Sequence, residues 1–430
     1  MTIAAQVLGA EPPVPSGGAT LLTYHPTRRM FLGALGIASI AGCSAGLRES
    51  SGGGQTLKIG YVSPRTGPLA VFGESDDYVL GKVRTALSKG LSIGGRTYPV
   101  EIVVKDTQSS AARAAEVAGE LIQRDKVDIV LATSTPDTTN PVSDQCEAAK
   151  VPCVATICPW EIWADGRPAP TYSYLHFIGT QQEVEVFAGL WARADTNQVV
   201  GGLWPNDTDG ELYRRFVTAK TGWKVVDSGA YEDGTQDYTS ILAAFAGGEA
   251  EILQAAPIPP DWVTFWRQAA QNRFRPKIVS VAKAMLFPSV AETLGELAEG
   301  LVAPVWWSSA FPYRSSLDGS TAREFADGYG RQWTPPMGFN HALFEIAVAA
   351  FKAAADPKDH AAVAAAIGTL KGEAISGRYD FTAGPSKNVS LAPDLLGQWR
   401  RNTSGKYDLV IVDNTLDPTI PVQGEFTPLR

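Results

Sequence analysis

Residues 127–156 read VDIVLATSTPDTTNPVSDQCEAAKVPCVAT, and this stretch contains a complete strand–loop–helix–strand unit. VDIVLA (127–132) is a continuous apolar run, typical of a strand that is buried on both faces. A loop rich in Ser and Thr follows, and PVSDQCEAAK (141–150) is predicted to be a helix that begins at its proline. VPCVAT (151–156) is the next buried strand. Two such strands joined through a helix predict a parallel sheet with helices on both faces.

The same alternation extends in both directions from this unit. Further strands are predicted at 57–62, 99–105, 198–204, 224–229, 250–256 and 277–282, with helical periodicity between them. The fold class is therefore α/β, with two doubly wound parallel-sheet lobes joined by a hinge. We predict that residues 57–175 and 308–374 form lobe 1 and that residues 176–307 and 375–430 form lobe 2. Pro- and Gly-rich segments at 165–173 and 302–316 are the predicted joints between the lobes.

Composition narrows the possible functions. The chain has 430 residues, 37 Lys and Arg against 45 Asp and Glu, and a formal net charge of −8. It lacks the basic surplus with which a protein neutralises nucleic acid phosphates. Four cysteines in a chain of this length do not form a disulfide scaffold, and their spacing matches no zinc motif. We therefore predict no metal and no cofactor.

The N-terminal segment has the pattern of an export signal. Thr27-Arg28-Arg29-Met30-Phe31-Leu32 begins an apolar run that is too short to span a bilayer, and it resembles the twin-arginine export signal. The run ends in Ile40-Ala41-Gly42-Cys43, which resembles the lipobox of bacterial lipoproteins. We predict a twin-arginine lipoprotein signal at 1–42, lipidation of Cys43, and a flexible tether at 43–56. The alternative is a buried helix that carries two arginines.

Four segments together resemble the leucine/isoleucine/valine-binding family of solute receptors for bacterial ABC importers. They are IGYVSPRTGPLAVFG (59–73), the strand–helix–strand segment at 94–132, the loop and helix at 133–156, and DGTQDYTSILAAF (233–245). The resemblance spans residues 57–413. It implies an extracytoplasmic receptor, anchored to the periplasmic or extracellular face of the membrane. Such a receptor closes two lobes on a small molecule and delivers it to membrane permease subunits.

The resemblance also implies a ligand site in the first lobe. The loop after the third strand supplies hydroxyl and N–H groups to a ligand carboxylate, next to a helix N-terminus. Its candidate residues here are Ser134, Thr135, Asp137 and Thr138, although the same residue types are common in ordinary capping loops. Further candidates in lobe 1 are Phe72 as an aromatic cover, Thr156, and Trp160 as an apolar wall, and each of the two rings is also suited to core packing.

The second lobe departs from the family pattern in two places. Asp209-Gly210 stands where a Tyr-Gly pair is usual, and SVAKAMLF (280–287) lacks the acidic residue that neutralises a ligand ammonium. The corresponding position falls at Ala282 or Lys283, and a lysine in a cleft attracts an anion. We therefore predict a carboxylate-bearing or aromatic ligand that is amino-acid-like, with Trp204 as a further stacking candidate. Asp209 is the alternative partner for an ammonium, and a solvated end of a strand is the alternative role for Lys283.

The sequence contains no recognisable catalytic constellation. It has no nucleophile-elbow motif, no phosphate-binding loop and no dinucleotide fingerprint. We predict a solute-binding protein that makes and breaks no bond. The alternatives are a receptor domain that reports its ligand to a signalling partner, and an exported enzyme on the same scaffold.

Overall fold

The structure is a computed structural model, and it describes residues 56–167 and 169–429. The predicted export signal with Arg28 and Arg29, the lipidation residue Cys43, and all of the predicted tether except Thr56 lie outside the described residues. None of the described helices is both long and apolar enough to cross a membrane.

The strands, in chain order, are β1 (Leu57–Ser63), β2 (Leu91–Ile93), β3 (Arg96–Tyr98), β4 (Val100–Asp106), β5 (Ile129–Thr133), β6 (Cys153–Thr156), β7 (Ser173–Phe177), β8 (Val199–Leu203), β9 (Lys224–Asp227), β10 (Ile252–Ala255), β11 (Ile278–Val281), β12 (Val302–Pro304), β13 (Lys371–Ala374), β14 (Gly377–Asp380), β15 (Val389–Leu391), β16 (Leu396–Arg401) and β17 (Tyr407–Asp413).

The helices are α1 (Asp76–Ala86), α2 (Ala111–Glu120), α3 (Pro136–Ala149), α4 (Trp160–Ala164), α5 (Thr180–Trp191), α6 (Thr208–Thr218), α7 (Thr239–Gly247), α8 (Pro259–Gln271), α9 (Pro288–Leu294), α10 (Ala322–Asp327), α11 (Pro335–Ala353) and α12 (His360–Ile367). α3 begins five residues before the predicted start, because Pro136 already occupies its first turn and Pro141 lies inside it.

The first lobe is built on a parallel sheet of order β15-β7-β6-β5-β1-β4. All five residues of β5 are buried, as the continuous apolar run predicted. The carboxyl ends of β1, β5 and β6 lie at one edge of this sheet, and the loops that follow them carry the predicted first-lobe site residues.

The second lobe is built on a sheet of order β17-β16-β12-β11-β10-β8-β9. Its strands from β9 to β12 are parallel, and β16 and β17 add an antiparallel edge. The predicted α/β class with two doubly wound lobes is confirmed, and the antiparallel edge is the one addition to it.

The chain crosses between the lobes three times, after β7, after β12 and after β15. The predicted joint at 165–173 is wrong, because β7 pairs with β6 and keeps this segment within the first lobe. The predicted return to lobe 2 at residue 375 is also too early. Val389–Leu391 pairs with β7, so the last crossing follows Leu391.

Two Trp residues follow β12, and they have different roles at the second crossing. The Trp307 ring is fully buried against Gly338 of α11, and its indole N–H donates to the Ile375 carbonyl at 3.0 Å. The neighbouring Trp306 packs edge-on against Phe177 with ring centroids 4.8 Å apart. Trp307 therefore belongs to the packing of the crossing, whereas Trp306 faces the space between the lobes.

Candidate functional site

The loop after β5 holds Thr135 in an unusual conformation. Ser134 and Thr135 have backbone φ values of 80° and 65°, which residues other than glycine rarely adopt. The Thr135 N–H donates to the Ile157 carbonyl at 2.9 Å, and the Thr138 hydroxyl donates to the Ser134 carbonyl. These bonds fix the loop at the start of α3. The Thr135 hydroxyl is buried there and has no hydrogen-bond partner among the described residues. Strain of this kind is typical of binding loops.

The first turn of α5 contributes Glu183. This side chain is 1 % exposed, and one of its carboxyl oxygens accepts a hydrogen bond from the Tyr213 hydroxyl of α6. The other oxygen, Oε2, has no partner among the described residues. Burial raises the pKa of Glu183 to about 7, although the bond from Tyr213 lowers it in part. Glu183 is therefore close to half ionised at neutral pH.

Lys283 lies between two carboxylates of the second lobe. Its Nζ is 2.8 Å from an Asp207 oxygen and 3.0 Å from an Asp209 oxygen. Asp207 also caps α6 by accepting from the Gly210 N–H at 2.6 Å. Burial alone would lower the pKa of Lys283, but Asp209 and Asp207 raise it above its usual range. Burial raises the pKa of Asp209 to about 6, and the lysine opposes that shift.

This ion triad corrects the prediction made for Lys283. The sequence predicted a lysine that attracts an anionic ligand, and it placed Asp209 as a separate alternative. In the structure the lysine is already neutralised by two carboxylates that lie 74 and 76 residues away in sequence. The site therefore offers no free cation at this position, and its net charge is negative.

Aromatic and aliphatic side chains close the site. Phe72 from the first lobe packs edge-on against Phe287 from the second, with ring centroids 4.9 Å apart. Phe177 and Trp306 form a second aromatic contact beside Glu183. The Trp306 indole lies near the Glu183 carboxyl without a hydrogen bond of normal geometry between them. The two lobes are thus in contact, and the site is largely screened from solvent.

Two cavities lie between the lobes. The inner chamber has a volume of about 30 Å³, room for about two water molecules. It is lined by Phe72, Thr135, Phe177, Thr180, Glu183, Asp209, Tyr213, Lys283 and Trp306, among others. The outer chamber has a volume of about 340 Å³, and its lining includes Leu69, Thr135, Asp137, Asp207, Asp233, Ile258, Asp261 and Lys283. Thr135 and Lys283 border both chambers.

Five of the ten ligand-binding residues predicted from the sequence line these chambers. They are Phe72, Thr135, Asp137, Asp209 and Lys283. Three others support the loops behind the chambers. The Ser134 hydroxyl lies 3.0 Å from that of Thr133, the Thr138 hydroxyl bonds to the Ser134 carbonyl, and the Thr156 hydroxyl donates to the His176 carbonyl at 2.8 Å.

Two predicted stacking residues lie away from both chambers. Trp204 is fully buried in the core of the second lobe, where its indole N–H donates to Gln254 and its ring covers Gly202. The ring of Trp160 lies against Gly179 at the first crossing, and its backbone N–H donates to the Ile178 carbonyl at 3.1 Å. A tryptophan next to the end of a strand is thus not sufficient evidence for a ligand contact.

Several residues of the chambers were not predicted from the sequence, and Glu183 is the most important of them. An acidic residue in the first turn of a helix is ordinarily read as a partner of the helix dipole, so Glu183 gave no distinctive signal. Asp207 likewise has the pattern of an ordinary N-cap. Tyr213, Asp233 and Asp261 become site residues only because the lobes close over them. Among the described residues, no group of three or more His, Cys, Asp or Glu side chains is placed to hold a metal ion.

Comparisons with known proteins agree with this architecture. The sequence model of the family described as "Periplasmic binding protein" matches residues 56–391. The leucine binding protein LivK of Thermotoga maritima matches with a TM-score of 0.70 at 18 % identity, over 85 % of this chain and 99 % of that chain. The LivJ protein of Streptococcus pneumoniae in complex with isoleucine gives a TM-score of 0.72 at 16 % identity, over 84 % and 100 % of the two chains.

An ABC transporter solute binding protein of Rhodopseudomonas palustris in complex with 3,4-dihydroxybenzoic acid also matches. Its TM-score is 0.69 at 18 % identity, over 85 % of this chain and 99 % of that chain. No curated protein matches this chain in sequence. At such identities the structures establish the fold, and the family match rests on most of the chain. The resemblance to the leucine/isoleucine/valine-binding receptors is confirmed, and the chain belongs to the periplasmic binding protein family.

Proposed function

We propose that this chain is the extracytoplasmic solute-binding component of an ABC importer, and that it captures a small organic amine between its lobes. The observation that carries the proposal is the set of unpaired polar atoms in the inner chamber. Glu183 Oε2 and the hydroxyls of Thr135 and Thr180 are buried without partners among the described residues. An unpaired buried polar group costs about 1–3 kcal/mol, so a ligand that pairs these atoms recovers that free energy.

The charge of the chamber favours an amine at the end of the ligand that enters it. Glu183 and Asp209 are the two carboxylates in the inner chamber, and Lys283 is already bound to Asp207 and Asp209. An ammonium group donates hydrogen bonds to an ionised Glu183, whereas a carboxylate placed there would be repelled.

The opposite wall favours an acceptor group on the same ligand. Thr135 lies directly before α3, which begins with Pro136 and carries no side-chain cap on its described first turn. The N–H groups at the start of a helix and the free Thr135 hydroxyl are suited to a carboxylate. An amino-acid-like ligand supplies both ends, as does the isoleucine bound by the structurally similar LivJ protein, whereas the dihydroxybenzoic acid bound by another structurally similar protein supplies only the carboxylate.

The size of the chambers decides how such a ligand enters. About 30 Å³ admits only an end group, so the lobes must open at the three crossings before a ligand can bind. Once the lobes close again, the body of the ligand extends past Thr135 and Lys283 into the outer chamber. The closed form is the one that docks on the permease subunits.

A thermal unfolding screen of the purified protein tests this function. The library contains amino acids, other primary amines, aromatic acids, hydroxy acids and sugars. A ligand present at 100 times its Kd stabilises the folded protein by about 2.7 kcal/mol, which raises Tm by a few degrees. We expect stabilisation by compounds that carry a primary amine. Stabilisation only by anions that lack an amine would contradict the proposed chemistry. If deletion of the gene leaves uptake of the ligand by the cell unchanged, the role in import is contradicted.

We also propose that the twin-arginine motif with Arg28 and Arg29 directs export and that acylated Cys43 anchors the protein to the outer face of the membrane. This proposal rests on the order of the three sequence signals and on the extracytoplasmic location of the family. Mass spectrometry of the mature N-terminus tests it. A diacylglyceryl group on Cys43 is expected, and an unmodified N-terminus that begins before Cys43 would contradict it.

A further inference from the structure

The outer chamber is strongly acidic. Asp137 enters it from the first turn of α3, and Asp207, Asp233 and Asp261 enter it from the second lobe. Lys283 is the one cationic side chain in the described lining of this chamber, and it is already bound to Asp207 and Asp209. The chamber therefore has an excess of negative charge that no described side chain balances.

The carboxylates differ in how they are held. Asp261 is buried, and its two oxygens accept from the Gly234 N–H at 3.2 and 3.0 Å. Asp137 and Asp233 are exposed at the mouth of the chamber and make no hydrogen bond or ion pair with the described residues. Partial burial and the nearby Asp207 raise the pKa of both carboxyls. Mutual repulsion of this kind is relieved when a positive charge enters.

A second feature of the chamber, independent of its charge, points to a ligand. Thr135 is 5 % exposed and borders the outer as well as the inner chamber, and its buried hydroxyl has no partner among the described residues. The volume of about 340 Å³ lies within the range of small-molecule sites. Leu69 and Ile258 add apolar surface on opposite walls, on which an alkyl chain can pack.

We propose that the outer chamber binds a second positive charge, a guanidinium or ammonium group at the far end of the ligand. The substrate class is then a basic amino acid or a closely related diamine. This inference rests on the proposed function, because it assumes that the α-amino end of the ligand occupies the inner chamber. A metal ion is not the occupant that the geometry favours, since no three of the described acidic side chains converge on one point.

Two matched pairs of probes test the inference by isothermal titration calorimetry on the intact protein. L-arginine is compared with L-citrulline, and L-lysine with L-norleucine, because each pair differs mainly in the charge of the tail. We expect the charged member of each pair to bind at least about tenfold more tightly. Equal affinity for the two members of each pair would overturn the inference and leave the proposed function in place.

The double variant Asp137→Asn/Asp233→Asn identifies the charges responsible. Both side chains are exposed and unpaired, so the fold does not depend on them. The preference for the charged probes is expected to fall to about twofold. The control is Asp195→Asn. Asp195 is exposed and precedes β8, at the amino ends of the second-lobe strands, so its substitution should leave the preference unchanged. An unchanged preference in the double variant would overturn the assignment. If none of the four probes binds, the inference fails, and the wider amine screen decides the proposed function separately.

Discussion

Replacing Glu183 by glutamine is expected to weaken the binding of an amine ligand by about 100-fold at pH 8. Glu183 Oε2 is buried without a partner among the described residues, so it is available to accept from the ligand ammonium. A hydrogen bond to a charged group is worth about 1.5–3 kcal/mol, and leaving a buried ammonium without its carboxylate costs more. Glutamine has nearly the same size and keeps the bond with Tyr213, so the fold is expected to remain intact.

The same variant is expected to remove a pH dependence of the wild-type protein. With a pKa of about 7, Glu183 is mostly protonated at pH 6 and mostly ionised at pH 8. Because the ligand ammonium requires the ionised form, affinity rises about tenfold over this interval, and binding below pH 7 releases a proton. Asp209 and Glu161 also raise the pKa of Glu183, and Asp209 titrates in the same direction. Burial and the nearby Glu183 raise the pKa of Asp394 well above its usual range.

Calorimetry at pH 6, 7 and 8 measures both effects. Glu185→Gln is the matched control, because Glu185 lies on the same helix, is exposed and pairs with Lys220. This control should bind with the affinity and pH dependence of the wild type. A wild-type affinity that falls between pH 6 and pH 8, or a Glu183→Gln variant that binds as tightly as the wild type, would contradict the role of Glu183.

Replacing Lys283 by methionine is expected to destabilise the folded protein by about 3–5 kcal/mol. The side chains of Lys283, Asp207 and Asp209 are 9 %, 14 % and 8 % exposed, so removal of the lysine leaves two nearly buried carboxylates beside each other. Urea denaturation at pH 7 measures the loss in the free energy of unfolding. If Lys283 were instead an unpaired lysine that binds an anionic ligand, the same substitution would remove a buried unpaired charge and would not destabilise the protein in this way.

Two further variants separate this effect from a general loss of packing. Lys277→Met removes a half-exposed lysine that pairs with Glu251, and it should leave stability nearly unchanged. Asp207→Asn and Asp209→Asn introduced together with Lys283→Met should restore most of the stability. If the triple variant is no more stable than Lys283→Met alone, repulsion between the Asp207 and Asp209 carboxylates is not the cause of the lost stability.

The parts of the fold that depend on local pattern were predictable from the sequence. A strand–loop–helix unit of a parallel sheet was predicted from the apolar run of β5, the Ser/Thr loop and the helix after it. The same pattern predicted that Thr135 lies at the carboxyl end of β5. The short strand β15 was not predictable, because three residues after a turn carry little periodicity. Its pairing with β7 is what moves the last crossing from residue 375 to the segment after Leu391.

The parts of the site that depend on distant contacts were not predictable. Lys283 meets Asp207 and Asp209 only when β11 and the start of α6 lie side by side, and that pairing changes its role from ligand partner to structural cation. In the same way, the Trp204 indole N–H donates to Gln254, 50 residues further along the chain, and this contact holds the ring in the core and not in the cleft. The nature of the ligand depends on these contacts, and proteins with the same fold at 16 % to 18 % identity bind compounds as different as isoleucine and dihydroxybenzoic acid.

A crystal structure of the protein with the tightest-binding amine from the screen tests the central claim most directly. We expect the ligand nitrogen within about 3.2 Å of a Glu183 oxygen, with the acceptor end of the ligand at Thr135 and the start of α3. We also expect Lys283 to stay bound to Asp207 and Asp209. A ligand carboxylate or other anion bound to Lys283, with Glu183 left unpaired, would contradict the account.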